Sequence, residues 1–222
     1  MAQNQWDRYS ALYDQGIGPD GDTLHQKIID PVLFELLGDG QVKTVLDAGC
    51  GNGYLLRKLS SRAEQIVGID SSDELLSIAK KNTVGCANVS TIKNDLMKTL
   101  SLKDKTFDVV IANMVLQYLP SLENFSAECS RILKREGRFI MIIDHPSHAA
   151  YLRAQELAGK KNEKFLTSGS YFTEEKRTKK SLWNKAILEY TIELFLHIST
   201  PFRQNFILKK CKNEVLVMAK CL

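Results

Sequence analysis

Between residues 43 and 143 short apolar runs alternate with amphipathic stretches. "KTVLDAG" reads as a strand, "GYLLRKLSSR" as a helix, "QIVGID" as a strand and "SDELLSIAKKN" as a helix. Next come "NVSTIKND" and "FDVVIAN" as strands, "SLENFSAECSRILKREG" as a helix and "RFIMIID" as a strand. The strands are almost continuously apolar, as expected where helices cover both faces of a parallel sheet. Regular strand–helix alternation indicates a doubly wound α/β fold. Local signals support the boundaries. Ser72 with Asp73 opens one helix, Ser121 precedes another with Glu123 in its first turn, and Gly137 is placed to end that second helix.

Outside this stretch the pattern is less regular. Residues 3 to 37 read as two helical pieces broken by "QGIGPDGD". Pro31 lies inside the second piece and should kink or divide it. Residues 147 to 182 are rich in Lys, Glu, Ser and Gly, which fits a mobile lid or a solvated connection. Leu188, Tyr190, Ile192, Leu194, Leu196 and Ile198 alternate as in a strand, although part of the same stretch also fits one helical face. "EVLVMAKCL" reads as a final strand.

Composition narrows the class. A chain of 222 residues with 44% hydrophobic and 25% charged residues can bury the core of one globular domain. A net charge of +4 favours no class of partner. The five cysteines show no C-x-x-C pair, which points to free thiols in a reducing compartment. No signal-peptide core follows Met1 and no apolar run is long enough to cross a bilayer, so a cytoplasmic protein without a membrane partner is expected.

The chemistry concentrates in "VLDAGCGNGYL", residues 45 to 55. A buried strand ending in glycines and turning at once into a helix lets a ligand approach the backbone closely. It also predicts backbone N–H groups left free to face that ligand. The next strand ends in Asp70, placed to accept from two neighbouring ribose hydroxyls. Loop and acid together describe a site for an adenosine-type cofactor. Nicotinamide binders carry G-x-G-x-x-G, whereas the glycines here are Gly49, Gly51 and Gly53, with Asp47 before them.

In these residues the sequence resembles the class I S-adenosylmethionine-dependent methyltransferases, in particular the small-molecule enzymes of the type 11 and type 25 group. The resemblance runs from "WDRYSALYD" through "VGIDSSDELLSIAK" and "NDL" to "FDVVIANMVLQYLPSLENFSAECSRILKREGRFIMII", about residues 6 to 146. It implies a mostly parallel, seven-stranded Rossmann-like sheet with N-terminal helices and a cap insertion. On that reading residues 1–222 form a single methyltransferase domain: 1–40 a helical cap, 41–146 the cofactor-binding core, 147–185 a substrate cap and 186–222 strands completing the sheet.

The resemblance also implies roles. Asp47, Gly49, Cys50 and Gly51 would hold the methionine end of S-adenosylmethionine. Asp70 would take the ribose hydroxyls, with Ser71 beside the adenine. Asp95 would accept from the adenine amino group and Leu96 would pack on the ring. Asn113, Met114 and Gln117 would line the methionyl arm, and Tyr13 would close over the cofactor. Plainer readings stand beside these: Asp95 as a turn residue, Gln117 as a solvent-facing helix start, Tyr13 as core packing.

Methyl transfer needs an aligned nucleophile, dry surroundings and, for O–H or N–H acceptors, a base. His145 and His148 in "DHPSHAAY" and His25 before Pro31 are the candidate bases. His145 reads equally as a turn-shaping residue. No histidine–acid set at ligand spacing follows, so no metal is expected. The fourth strand lacks an Asn/Asp-Pro-Pro-Tyr signature, and no interleaved basic and aromatic surface appears. Both points disfavour nucleic acid and favour a small-molecule acceptor. The competing readings are an RNA or protein methyltransferase and a cofactor-binding homologue without catalysis. "KRTKKSLWNK" is basic enough to meet an anionic acceptor, or is simply a solvated face.

Overall fold

The structure is a computed structural model that describes residues 5–144 and the strands 175–180, 187–192, 206–210 and 215–221, with side chains over 5–143. The chain begins with helix α1 (Gln5–Ile17), a π-helical turn (His25–Ile29) and α2 (Asp30–Leu37). There follow β1 (Val42–Ala48), α3 (Tyr54–Leu59), β2 (Ala63–Asp70), α4 (Asp73–Asn82), β3 (Val89–Lys93) and β4 (Phe107–Asn113). A 3₁₀ turn (Leu116–Tyr118), α5 (Glu123–Ile132) and β5 (Leu133–Asp144) complete the strand–helix alternation. Beyond it come β6 (Glu175–Lys180), β7 (Ile187–Ile192), β8 (Phe206–Lys210) and β9 (Val215–Cys221).

Five strands form a parallel sheet in the order β3-β2-β1-β4-β5. The order reverses between β1 and β4, so a crevice opens there beyond the carboxyl ends of both strands. Next to β5 run β9 and then β8, each antiparallel to its neighbour. β6 and β7 pair with each other as a separate antiparallel ribbon.

Side-chain alternation along the strands divides the core in two. Val109 and Ile111 of β4, with Ile140 and Ile142 of β5, join Ile29, Leu33, Leu55 and Leu59 in one cluster. Val110 and Ala112, with Phe139 and Met141, join Phe125, Cys129 and Ile132 of α5 in the other. A sheet wrapped on both faces has little polar side to show at its centre, which is why β4 reads as a nearly continuous apolar run, whereas the edge strand β3 keeps exposed polar residues.

The helix starts follow their sequence signals. Ser72 caps α4, its Oγ accepting from the Leu75 N–H at 3.1 Å. Pro31 stands in the first turn of α2, directly after the π turn. Proline lacks an N–H and crowds the carbonyl four residues back, so the α-helical ladder cannot run through it, and the backbone widens just upstream.

The end of α5 differs from expectation. The helix stops at Ile132 rather than at Gly137, and Leu133 pairs with Phe107 as the first residue of β5. The register then shifts across residues 134–137 before Arg138 meets Val109. Lys134 turns inward, its Nζ donating to Asp108 Oδ2 at 2.8 Å. Pairing with β4 and this ion pair override the helical propensity of "ILKRE".

Candidate functional site

The loop after β1 bends through three glycines with positive φ, Gly49, Gly51 and Gly53. Four of its amides are spent inside the protein. Gly49 and Cys50 both donate to the Ile69 carbonyl, at 2.8 and 2.9 Å, and Gly53 donates to Cys50 O at 2.9 Å. Gly51 donates to Asp70 Oδ2 at 3.0 Å. The expectation of free loop N–H groups is therefore corrected: the bend contributes close backbone approach and shape. A side chain at Gly51 would lie 3.0 Å from the Tyr13 hydroxyl and ring. That approach, with φ of +53°, is why glycine is needed there.

Asp70 ends β2 beside this bend. Its Oδ1 accepts from the Ser72 N–H at 2.9 Å and its Oδ2 from Gly51. Each oxygen keeps a lone pair for a further donor. Burial raises its carboxyl above the ordinary range, and the N–H groups of Ser72, Gly51 and Ser71 work against that rise. Asp47, one strand over, is 1% exposed, and its Oδ2 has no hydrogen-bond partner among the described residues. Burial first, and then repulsion from Asp70, pushes its carboxyl up to about 7.

A cavity of about 330 Å³ opens beside Asp70 at the crevice between β1 and β4. That volume falls at the small end of the range for small-molecule sites, roughly 300–1,000 Å³. Gly49, Gly51, Asp70 and Ser71 form one wall. Asp95 and Leu96 from the turn after β3 form another, and Asn113, Met114 and Gln117 line the β4 side. Tyr13 and His25 reach in from the N-terminal helices. Asp47 and Cys50 are not among the lining residues. Cys50 is buried in the core, its Sγ against Gly68, and burial raises its thiol well above the usual range. His145 and His148 lie outside the described residues.

The plainer readings resolve differently. Asp95 does serve a turn, with Oδ1 accepting from Met97 N–H at 3.0 Å, yet it also lines the cavity. Gln117 does not face solvent: it is buried, and its Nε2 donates to Met114 O at 3.0 Å. Met114 itself has φ of +54°, a left-handed conformation that a side chain adopts only at a cost.

Sequence reasoning missed several residues. Asn94 lines the cavity beside Asp95, and its Nδ2 is buried without a hydrogen-bond partner among the described residues. Trp6 and Tyr118 line it too, their rings meeting edge to face at 4.9 Å, and Trp6 also meets Tyr13 at 5.9 Å. Asn94 sits inside the quoted "NDL" and was within reach of the sequence. The meeting of Trp6 with Tyr118 was not, because the two residues are more than a hundred positions apart in the chain.

Fully buried Asn52 straps α1 over this site. Its Nδ2 donates to Asp14 Oδ1 and to Gly18 O, both at 2.9 Å. Asp7 accepts from the Ser72 hydroxyl at 2.6 Å, so α1 is tied to the loops that follow β1 and β2.

Comparison with known proteins agrees with this geometry. Residues 46–141 match the methyltransferase domain family. The chain is 32% identical over 172 residues to a malonyl-[acyl-carrier protein] O-methyltransferase of Halalkalibacterium halodurans, covering 70% of this chain and 64% of that one. It is 30% identical over 136 residues to a ubiquinone biosynthesis O-methyltransferase of Nitrosomonas europaea, covering 59% of this chain and 58% of that protein. The chain thus spans about three-fifths of the length of the curated relatives it matches. In fold it resembles a SAM-dependent methyltransferase of Aquifex aeolicus, with a TM-score of 0.61 at 16% identity over 96% of this chain and 97% of that one. Through residues 46–141 the chain belongs to the S-adenosylmethionine-dependent methyltransferases.

Proposed function

We propose that the protein transfers a methyl group from S-adenosylmethionine to the oxygen of a small-molecule acceptor. The observation that carries this is the Asp70 carboxylate, joined to the glycine bend on the wall of a cavity at the sheet's switch point.

The residues present fit the cofactor. Among the cavity-lining residues Asn113 Oδ1, Gln117 Oε1 and Asn94 Nδ2 are buried polar atoms without a hydrogen-bond partner among the described residues. Such atoms are costly unless a ligand meets them. Asp47 Oδ2 is a further buried acceptor, suited to the ammonium of the methionine end. Gly49 and Gly51 let the ligand lie against the backbone.

When bound, S-adenosylmethionine supplies an electrophilic methyl carbon on a sulfonium. The chain does the rest. Asp70 holds the ribose hydroxyls through its two remaining lone pairs, with Ser71 at the adenine edge. Asp95 and Leu96 take the adenine, one by its amino group and the other by its face. Asn113, Met114 and Gln117 line the methionyl arm, with Gly49 and Gly51 at its end. Tyr13 covers the bend and, with Trp6, excludes water from the transfer path. Holding the nucleophile in line with the methyl carbon in a dry cleft removes much of the entropic barrier.

The choice of an oxygen acceptor follows the two relatives, both named as O-methyltransferases of biosynthetic intermediates. The test is to incubate the protein with methyl-labelled S-adenosylmethionine and panels of hydroxylated and carboxylated small molecules, and to separate the products. Label in an ether or ester product supports the proposal. Label in RNA or protein, or tight cofactor binding with no transfer to any acceptor, contradicts it.

A further inference from the structure

We propose that His25, oriented by Asp22, is the general base of this site, and that the acceptor it serves carries a weakly acidic hydroxyl, a phenol or an enol. The inference rests on the methyltransferase reading above.

The geometry begins in the turn before the π helix. Gly21 has φ of +81°, and a side chain there would lie 2.8 Å from His25 Cβ and 3.1 Å from the Tyr54 ring. This close turn sets Asp22 under the helix start. Asp22 Oδ1 accepts from the His25 backbone N–H at 2.9 Å and meets His25 Nδ1 at 2.7 Å. Burial works against ionisation of Asp22, but its hydrogen bonds from His25 outweigh burial and hold the carboxyl below its usual range. An ionised carboxylate only accepts, so Nδ1 must donate. The neutral ring then carries its lone pair on Nε2.

That nitrogen has no hydrogen-bond partner among the described residues, and His25 is one of the residues that line the cavity. The imidazole plane is fixed on its other side by Tyr54, met edge to face at 4.9 Å. Tyr54 is held in turn: its hydroxyl accepts from Asn113 Nδ2 at 2.6 Å and donates to Asp30, which pairs with Lys58. The charged and titratable groups around the ring are therefore Asp22 from the turn, Tyr54 and Lys58 from α3, and Asp30 from α2. The π turn that begins at His25 shifts the residue out of the regular helical ladder, a feature frequent at functional sites. A capping role alone explains the Asp22 contact with the backbone N–H. It does not explain the second bond to Nδ1 or a ring that borders the same cavity as the cofactor residues.

The step balances as follows. The hydroxyl proton of the acceptor passes to His25 Nε2, giving an imidazolium stabilised by Asp22. The acceptor oxygen bonds to the methyl carbon as the carbon–sulfur bond breaks, and that electron pair stays on sulfur as a neutral thioether. Imidazolium then returns its proton to water. A carboxylate acceptor is already ionised at neutral pH and has no use for this pair. A phenol or enol is close enough in acidity to imidazole for the transfer to be efficient.

The test compares wild type, His25→Gln and Asp22→Asn. Asparagine caps helices as well as aspartate, so Asp22→Asn keeps the turn while removing the charge. Calorimetry with S-adenosylmethionine comes first: loss of binding in wild type defeats the methyltransferase reading itself, whereas binding retained in all three proteins isolates the base. Isotope-labelled imidazole NMR on wild type should show a proton on Nδ1 and a bare Nε2, and Asp22→Asn should shift the population toward protonated Nε2. With catechol as acceptor, His25→Gln and Asp22→Asn should each lower kcat by about 10²–10⁴-fold with little change in KM. With a nitro-substituted catechol, which ionises near neutrality, the loss should shrink to about tenfold or less. Protonated Nε2 in wild type, equal losses for the two catechols, or transfer to carboxylates but to no hydroxyl in the panel each overturns the inference.

Discussion

The backbone N–H of Gly51 donates to the Asp70 side chain at 3.0 Å, joining the glycine bend after β1 to the acid that ends β2. One contact thereby sets the distance between the two halves of the proposed cofactor site.

Gly51→Ala tests the bend. Alanine at φ of +53° carries a left-handed penalty of about 1–2 kcal/mol, and its Cβ meets Tyr13 at 3.0 Å. S-adenosylhomocysteine affinity should fall by about tenfold or more, while the melting temperature falls by only a few degrees. Isothermal calorimetry beside a thermal melt separates the two effects.

Asp47 makes binding depend on pH. Its carboxyl is raised to about 7 in the folded protein, against an unfolded value of about 3.9. For an acid shifted upward, the folded state binds the proton more tightly, so ionisation opposes folding. This group's contribution to stability should therefore be greatest below about pH 4 and fall as pH climbs toward about 7. An ammonium placed against Asp47 favours the ionised form, so cofactor affinity should rise from pH 5 to 7 and then level. Asp47→Asn should flatten both profiles, as measured by melts and calorimetry across that range.

Asn52→Ala tests the strap. It removes the donors that hold Asp14 Oδ1 and Gly18 O. Asp14 and Gly18 are half-buried, and Asn82 Nδ2 also reaches Asp14 Oδ1 at 3.4 Å, so the loss falls at the low end of the cost of an unmet polar group, about 1–1.5 kcal/mol. Hydrogen exchange in α1 should accelerate by roughly tenfold, with β1 and β4 unchanged, and cofactor affinity should weaken in step. Uniform acceleration across the sheet would instead mean that Asn52 supports the whole fold.

Much of this was legible in the chain. The apolar stretches of β1, β2 and β4 pointed to the buried parallel sheet, and glycines at alternate positions followed by Asp70 pointed to the place where the cavity opens. What escaped has physical reasons. "ILKRE" has the composition of a helix, and only pairing of Leu133 with Phe107 turns it into a strand. The free loop amides expected at Gly49 and Cys50 are taken by the Ile69 carbonyl, a partner from the adjacent strand that no local pattern reveals. Trp6 and Tyr118 converge only in three dimensions. His25 was visible as a residue near a proline, but its significance depends on the 2.7 Å contact with Asp22 and on the cavity wall.

The most direct test is a calorimetric titration of wild type and Asp70→Ala with S-adenosylhomocysteine and, separately, with NAD. The account predicts micromolar-range binding of S-adenosylhomocysteine to wild type, none of NAD, and loss of nearly all affinity in a folded Asp70→Ala protein. Undiminished affinity in that variant, or binding of NAD in place of S-adenosylhomocysteine, would contradict it.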